Sequence, residues 1–99
     1  MYARLALIQL GPGKRAEVDR IMPTLDERLR GLKGFKSVMF FADDKAGEYG
    51  SLSLWEREAD AEAASQAMRP IVMAAVQDLT SAEGESRVRH FEIIEPGGR

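Results

Sequence analysis

Cysteine is absent from the 99 residues. That excludes disulfides, thiolate metal sites and a cysteine nucleophile, and it fits a reducing compartment. Basic residues are not in excess: 14 lysines and arginines face 16 acids, for a net charge of -2. The chain therefore lacks the positive footprint by which proteins hold a polyanion, and no nucleic-acid partner is expected. No apolar run approaches the roughly 20 residues that span a bilayer, so no membrane partner is expected. The opening MYARLALIQL carries Arg4 inside a short apolar run. It lacks the basic n-region, longer apolar stretch and small-residue cleavage site of a signal peptide, and a cytoplasmic setting is the expectation. Histidine and tryptophan occur once each, as His90 and Trp55.

A chain of this length suits one domain over residues 1–99, with 96–99 (PGGR) as a tail. Residues 2–10, YARLALIQL, are compatible with a strand, which Gly11, Pro12 and Gly13 end. From Lys14 the period becomes helical: Val18, Ile21, Met22, Leu25, Leu29 and Leu32 share one side. Pro23 interrupts that pattern and predicts a kink. FKSVMFFA (35–42) and EYGSLSLWE (48–56) are two strands joined by the turn DDKAG, hence an antiparallel hairpin. Residues 59–79 are helical again, interrupted by Pro70, with Asp60 or Glu58 suited to the N-terminus. SAEGES is a loop and RVRHFEIIE (87–95) the last strand.

The order βαββαβ predicts an α+β, ferredoxin-like fold. Two interleaved right-handed crossovers give an antiparallel four-stranded sheet, order 4-1-3-2, with both helices on one face. Leu5, Leu7, Leu52, Leu54, Phe91 and Ile93 are the expected helix-side core. The other face then carries Arg4, Ala6 and Ile8, Tyr49, Ser51, Ser53 and Trp55, and Val88, His90 and Glu92. Strand 2 is apolar on both faces, so either face of it can line a cavity. Several hundred Å2 of exposed apolar sheet is rare in a monomer, and a second copy is the simplest cover. A homodimer is expected, with the serine face as the wall of an enclosed cavity.

Three patterns resemble sites without the context that sites need. Gly11, Gly13 and Ala16 fit G-x-G-x-x-A, and Asp43 ends strand 2. A dinucleotide fold needs a parallel continuation where this chain has a hairpin. KGFKSVMF (33–40) echoes an RNA-binding motif, but on the wrong strand and with Ser37 at a stacking position. Asp43, Asp44 and Glu48 lack EF-hand spacing and read as solvated turn carboxylates. No metal and no cofactor site is expected.

GPGKRAEV, LKGFKSVMFF and YGSLSLWEREADAEA, in that order and spacing, resemble the antibiotic biosynthesis monooxygenase family of the dimeric α+β barrel superfamily. The shared marks are Gly34-Phe35 opening strand 2 and the small-residue strand Ser51 to Trp55. An acidic, alanine-rich helix start, Glu56 to Ala64, follows. The resemblance covers nearly the whole chain. It implies a dimer of packed sheets, with a cavity under the helices or inside the barrel. It also implies cofactor-independent oxygenation of aromatic polyketides in some members and haem degradation in others. In the oxygenases a Trp at the Trp55 position lines the pocket and an Asn precedes it. This chain has no Asn, and Ser51 and Ser53 stand there. The haem degraders add a helix-2 His, which is missing here.

The candidate catalytic residues are His90, to move a proton, Arg4, to attract a phenolate, and Trp55, to line the pocket. Candidate substrate-binding residues are Tyr49, Ser51, Ser53, Met39, Phe41 and Glu92. Structural roles compete at each. Trp55 can be a packing anchor, and Arg4 can pair with Glu92 beside a hydrogen-bonded His90. Two functions follow: a cofactor-independent monooxygenase for a small aromatic or quinol-like substrate, or a non-catalytic dimer that binds a small ligand or simply assembles.

Overall fold

The computed structural model describes residues 1–77 and 86–95. Leu79, residues 81–85 of the expected loop and the 96–99 tail lie outside the described residues. The elements run β1 (Tyr2–Gln9), α1 (Arg15–Arg30), β2 (Phe35–Asp43), β3 (Glu48–Trp55), α2 (Glu58–Val76) and β4 (Ser86–Glu92). All three strand pairings are antiparallel, in the order β2-β3-β1-β4. This is the expected 4-1-3-2 sheet read from the other edge. No helix among the described residues is long and apolar enough to cross a membrane.

β4 stops at Glu92, short of the expected Glu95, because its partner runs out: Glu92 pairs with Tyr2, the first residue of β1. One bond beyond, the Ile93 amide donates to the Met1 carbonyl at 2.9 Å. Neither proline divides its helix, since α1 continues through Pro23 and α2 through Pro70. Each ring removes one helical N–H, and the turns on either side carry the helix past the gap. Asp60 is buried in the first turn of α2, where peptide dipoles favour a carboxylate, and its Oδ2 has no hydrogen-bond partner among the described residues.

The two sheet faces are the reverse of the expectation. Along β3 the buried residues are Tyr49, Ser51, Ser53 and Trp55, and the leucines between them are only half-buried. Trp55 is 0% exposed and packs with Leu29 of α1 and Ala61, Ala64 and Met68 of α2. The register carries this choice across the sheet, because paired residues share a face. Arg4 pairs with Ser53 and His90, while Val38 and Phe40 pair with Ser53 and Ser51, so all turn toward the helices. Leu5, Leu7, Leu52, Leu54 and Phe91 take the open face instead, with Met39 and Phe41. The physical reason is volume. Ala61 and Ala64 leave the space an indole fills, and a strand apolar on both faces gives hydrophobicity nothing to choose by.

Gly11, the first glycine of the dinucleotide-like pattern, has a mechanical role. The carbonyl of Gly47 accepts from the amides of Leu10 and Gly11 at 2.8 and 3.1 Å, tying the hairpin turn to the end of β1. Gly47 has φ +71°, and a Cβ there would run into the Gly11 backbone. Gly47→Ala should lower unfolding free energy by about 1–3 kcal/mol, from left-handed strain and the collision with backbone. Urea unfolding followed by Trp55 fluorescence measures it; an unchanged midpoint would contradict this contact.

Candidate functional site

Between its two aromatic ends the helix-side row of β3 narrows to serines, and β1 places Ala6 beside them. These small side chains leave space above the sheet. A cavity of about 700 Å3 lies there, roofed by Val18, Ile21, Met22 and Leu25 of α1 and by Met68, Val72 and Val76 of α2. The amphipathic pattern of α1 thus serves as a cavity wall as well as a core face. The volume falls within the range of small-molecule sites, which are mostly apolar with a few placed polar groups.

Arg4 is the charged group that the sheet pushes into this wall, and it is 4% exposed. Burial pushes its guanidinium below the ordinary value, since a low-dielectric site penalises the charged form. The guanidinium nonetheless stays protonated. No carboxylate pairs with it among the described residues. Its Nε donates instead to Ser65 Oγ at 2.8 Å, and that oxygen lies 2.8 Å from His90 Nε2. Arg4, Ser65 and His90 form a continuous chain from β1 through α2 to β4.

Tyr49 stands at the other end. It is 3% exposed, lines the cavity, and its hydroxyl has no hydrogen-bond partner among the described residues. Tyr49 pairs with Ile8, four residues along β1 from Arg4. At about 3.3 Å per residue the two polar groups stem from backbone about 13 Å apart.

The sequence-selected residues divide. Arg4, Tyr49 and Ser51 line the cavity, and Phe41 reaches the lining from the opposite face beside Gly50. Trp55, Ser53, Met39, His90 and Glu92 are not in its wall. Trp55 is a packing anchor: its Nε1–H donates to Ser53 Oγ at 2.9 Å, and its ring meets Phe35 edge-on with centroids 5.6 Å apart. Ser53 is thereby committed to satisfying the indole. Met39 is 63% exposed on the open face. Glu92 pairs in register with Tyr2 rather than with Arg4, and its charge is the largest cause of a raised Tyr2 phenol. The turn carboxylates are engaged elsewhere, Asp44 with Arg15 at 3.0 Å and Glu48 with Arg87 at 3.2 Å.

Ser65 is the residue the sequence reading missed. It sits four residues before Arg69 on a helix whose alanines and serine look alike as small helix-face residues. Its position on the cavity side, opposite Arg4, follows only once the sheet faces are assigned.

Comparison with known proteins bears on the fold. No family model matches the sequence, and no curated protein matches it significantly. Solved structures do. SnoaB, a cofactor-independent oxygenase from Streptomyces nogalater, superposes with a TM-score of 0.71 at 15% identity, covering 99% of this chain and 97% of that one. A Bordetella bronchiseptica protein assigned to the antibiotic biosynthesis monooxygenases gives 0.73 at 18% identity, covering 95% and 97%. An antibiotic biosynthesis monooxygenase gives 0.69 at 15%, covering 96% and 100%. The chain therefore has the fold of the antibiotic biosynthesis monooxygenases, and the resemblance drawn from the strand motifs holds at that level.

A buried hydroxyl with no partner costs stability that a ligand would return. Tyr49→Phe should accordingly raise the unfolding free energy of the ligand-free protein by about 1 kcal/mol. Chemical denaturation measures this, and a clear loss of stability would show that the hydroxyl is already bonded.

Proposed function

We propose that this chain is a cofactor-independent monooxygenase of the antibiotic biosynthesis type, acting on a small aromatic or quinol-like substrate. The observation that carries the reading is Arg4, a buried cation with no carboxylate among the described residues, in the wall of a largely apolar cavity. A buried charge of this kind is costly unless something pairs with it. A phenolate does so while its ring fills the apolar space.

The chemistry follows from that pairing. Ionising a phenol or quinol raises the electron density of its ring, and the Arg4 charge stabilises the anion in a site of low dielectric. The activated substrate supplies the electrons that O2 accepts. In an anthrone a ring CH2 becomes C=O, and the second oxygen atom leaves as water. No flavin or metal is assigned in this reading. Tyr49, at the far end, is placed to hold a second polar group of the substrate.

Oxygen uptake with a panel of anthrones and hydroquinones tests the proposal. Uptake should require Arg4, so Arg4→Met should abolish it while leaving a folded protein, since methionine fills the space without a buried charge. No uptake across the panel, or uptake unchanged in Arg4→Met, overturns the assignment. The alternative is a non-catalytic binder of the same fold. It predicts binding of phenols with no oxygen consumed.

The functional unit in this reading is a homodimer, formed through the open sheet face. That face carries Leu5, Leu7, Leu52 and Leu54, with Met39 63%, Phe41 39% and Phe91 38% exposed. From Ala3 to Leu7, Ser37 to Phe41 and Gly50 to Leu54 its residues carry no charge. Arg87 and Arg89 of β4 flank this stretch, paired with Leu7 and Leu5, and the apolar strip between β2 and β1 can pack against its own copy, as a two-fold interface requires. Sedimentation velocity should find a dimer in the wild type and a monomer in Leu52→Lys. A wild-type monomer at micromolar concentration would reject it.

A further inference from the structure

Ser65 separates the histidine from the cavity. Its Oγ is 2.8 Å from Arg4 Nε and 2.8 Å from His90 Nε2. Ser65 lines the cavity and His90 does not. A serine hydroxyl has one hydrogen to donate and two lone pairs with which to accept. A guanidinium can only donate, so Arg4 occupies one lone pair of Ser65. In one arrangement of the hydrogens, that of Ser65 goes to His90 Nε2, which then carries its lone pair while the ring hydrogen sits on Nδ1. This leaves the second lone pair of Oγ for a donor in the cavity.

We propose that Ser65 is the group through which His90 takes a proton from a hydroxyl-bearing ligand in the cavity. The idea rests on the phenol-binding reading above and changes which residue meets the substrate. The ligand O–H bond breaks as a new hydrogen reaches Ser65 Oγ, while the hydrogen already on Ser65 passes to His90 Nε2. The ligand is left as an oxyanion beside Arg4, and His90 becomes an imidazolium. Nothing is oxidised or reduced in this step, so it precedes any reaction with O2.

The surroundings of His90 limit how far the transfer runs. Arg4 faces it from β1. Arg69 lines the cavity from α2, one turn beyond Ser65. Both oppose a new positive charge there. Glu92 of β4 lies two residues along on the same face and favours it. The transfer therefore gains most when the oxyanion forms within reach of Arg4. The vacant acceptor position also sets specificity. Phenols, enols and alcohols offer it a hydrogen, and the corresponding ethers do not.

His90 is the only histidine, so its ring nitrogens give a single pair of signals in a 15N-labelled protein. In the free wild type, Nδ1 should be protonated and Nε2 bare. Ser65→Ala, which suits a helix, should lose that preference. The probe is 4-nitrophenol, added below the pH at which it ionises in water, with 4-nitroanisole as its ether counterpart. In wild type and Ser65→Thr, 4-nitrophenol should move both ring nitrogens toward the imidazolium positions and turn the bound probe into its yellow phenolate. Ser65→Ala should still bind it and leave the His90 signals in place. A protonated Nε2 in the free protein, or an equal response in Ser65→Ala, overturns the hand-off alone. Failure of the wild type to bind 4-nitrophenol overturns the phenol reading of the cavity, and the hand-off with it.

Discussion

A fully buried indole needs room for its rings and a partner for its N–H. Here Ala61 and Ala64 supply the room and Ser53 the partner, and Trp55 is thereby fixed against the helices. Everything on β3 follows by alternation, and everything on the neighbouring strands follows by register. If Trp55 faced the other way, Arg4 would lie on the open sheet and the leucines would lie beneath the helices. The sheet would then place no charge in the cavity wall. A packing contact some distance from the cavity thus decides what the cavity is made of.

The charge that results is an unusual one to bury. Arg4 gives up solvent for a single bond to Ser65 from its Nε and no carboxylate among the described residues. Stability alone does not recommend that arrangement, since an apolar side chain of similar size would fit at lower cost. The Tyr49 hydroxyl at the opposite end, without a partner among the described residues, tells the same way. Two polar groups held at a cost, facing one apolar space, form a site awaiting its occupant. A hydrogen-bonded chain joins one end of that space to His90 through Ser65.

Much of the fold was legible because it rests on strong local signals. The change from strand to helical period after Gly13, the DDKAG turn and the strand-helix order lead to the observed topology without help from tertiary contacts. The helix ends and the β4 terminus were less legible, since they depend on where a partner strand begins. The sheet faces were misread because hydrophobicity was the criterion: it favoured the leucines of β3, and β2, apolar on both faces, offered no check. Leu52 and Leu54 are as apolar as a core demands. What decides is the complement on α2, alanines opposite a tryptophan, which is a pairing between distant segments. Of the two serines expected to wall a cavity, Ser51 lines one beneath the helices, and Ser53 is taken up by the Trp55 indole instead. Ser65 was out of reach for the same reason that Arg4 was not. A lone arginine within an apolar strand draws notice, and a lone serine among helix alanines does not.

The alternation along β3 has a consequence for how such a protein changes over time. Tyr49, Ser51, Ser53 and Trp55 face the helices, and Gly50, Leu52 and Leu54 face away. Neighbouring codons therefore act on different surfaces. A substitution at position 51 reshapes the cavity floor with little effect on the open face, and one at position 52 does the reverse. Ligand preference and assembly can drift separately within a single eight-residue segment. A lineage with this fold can alter the cavity floor without first altering the open face of the sheet.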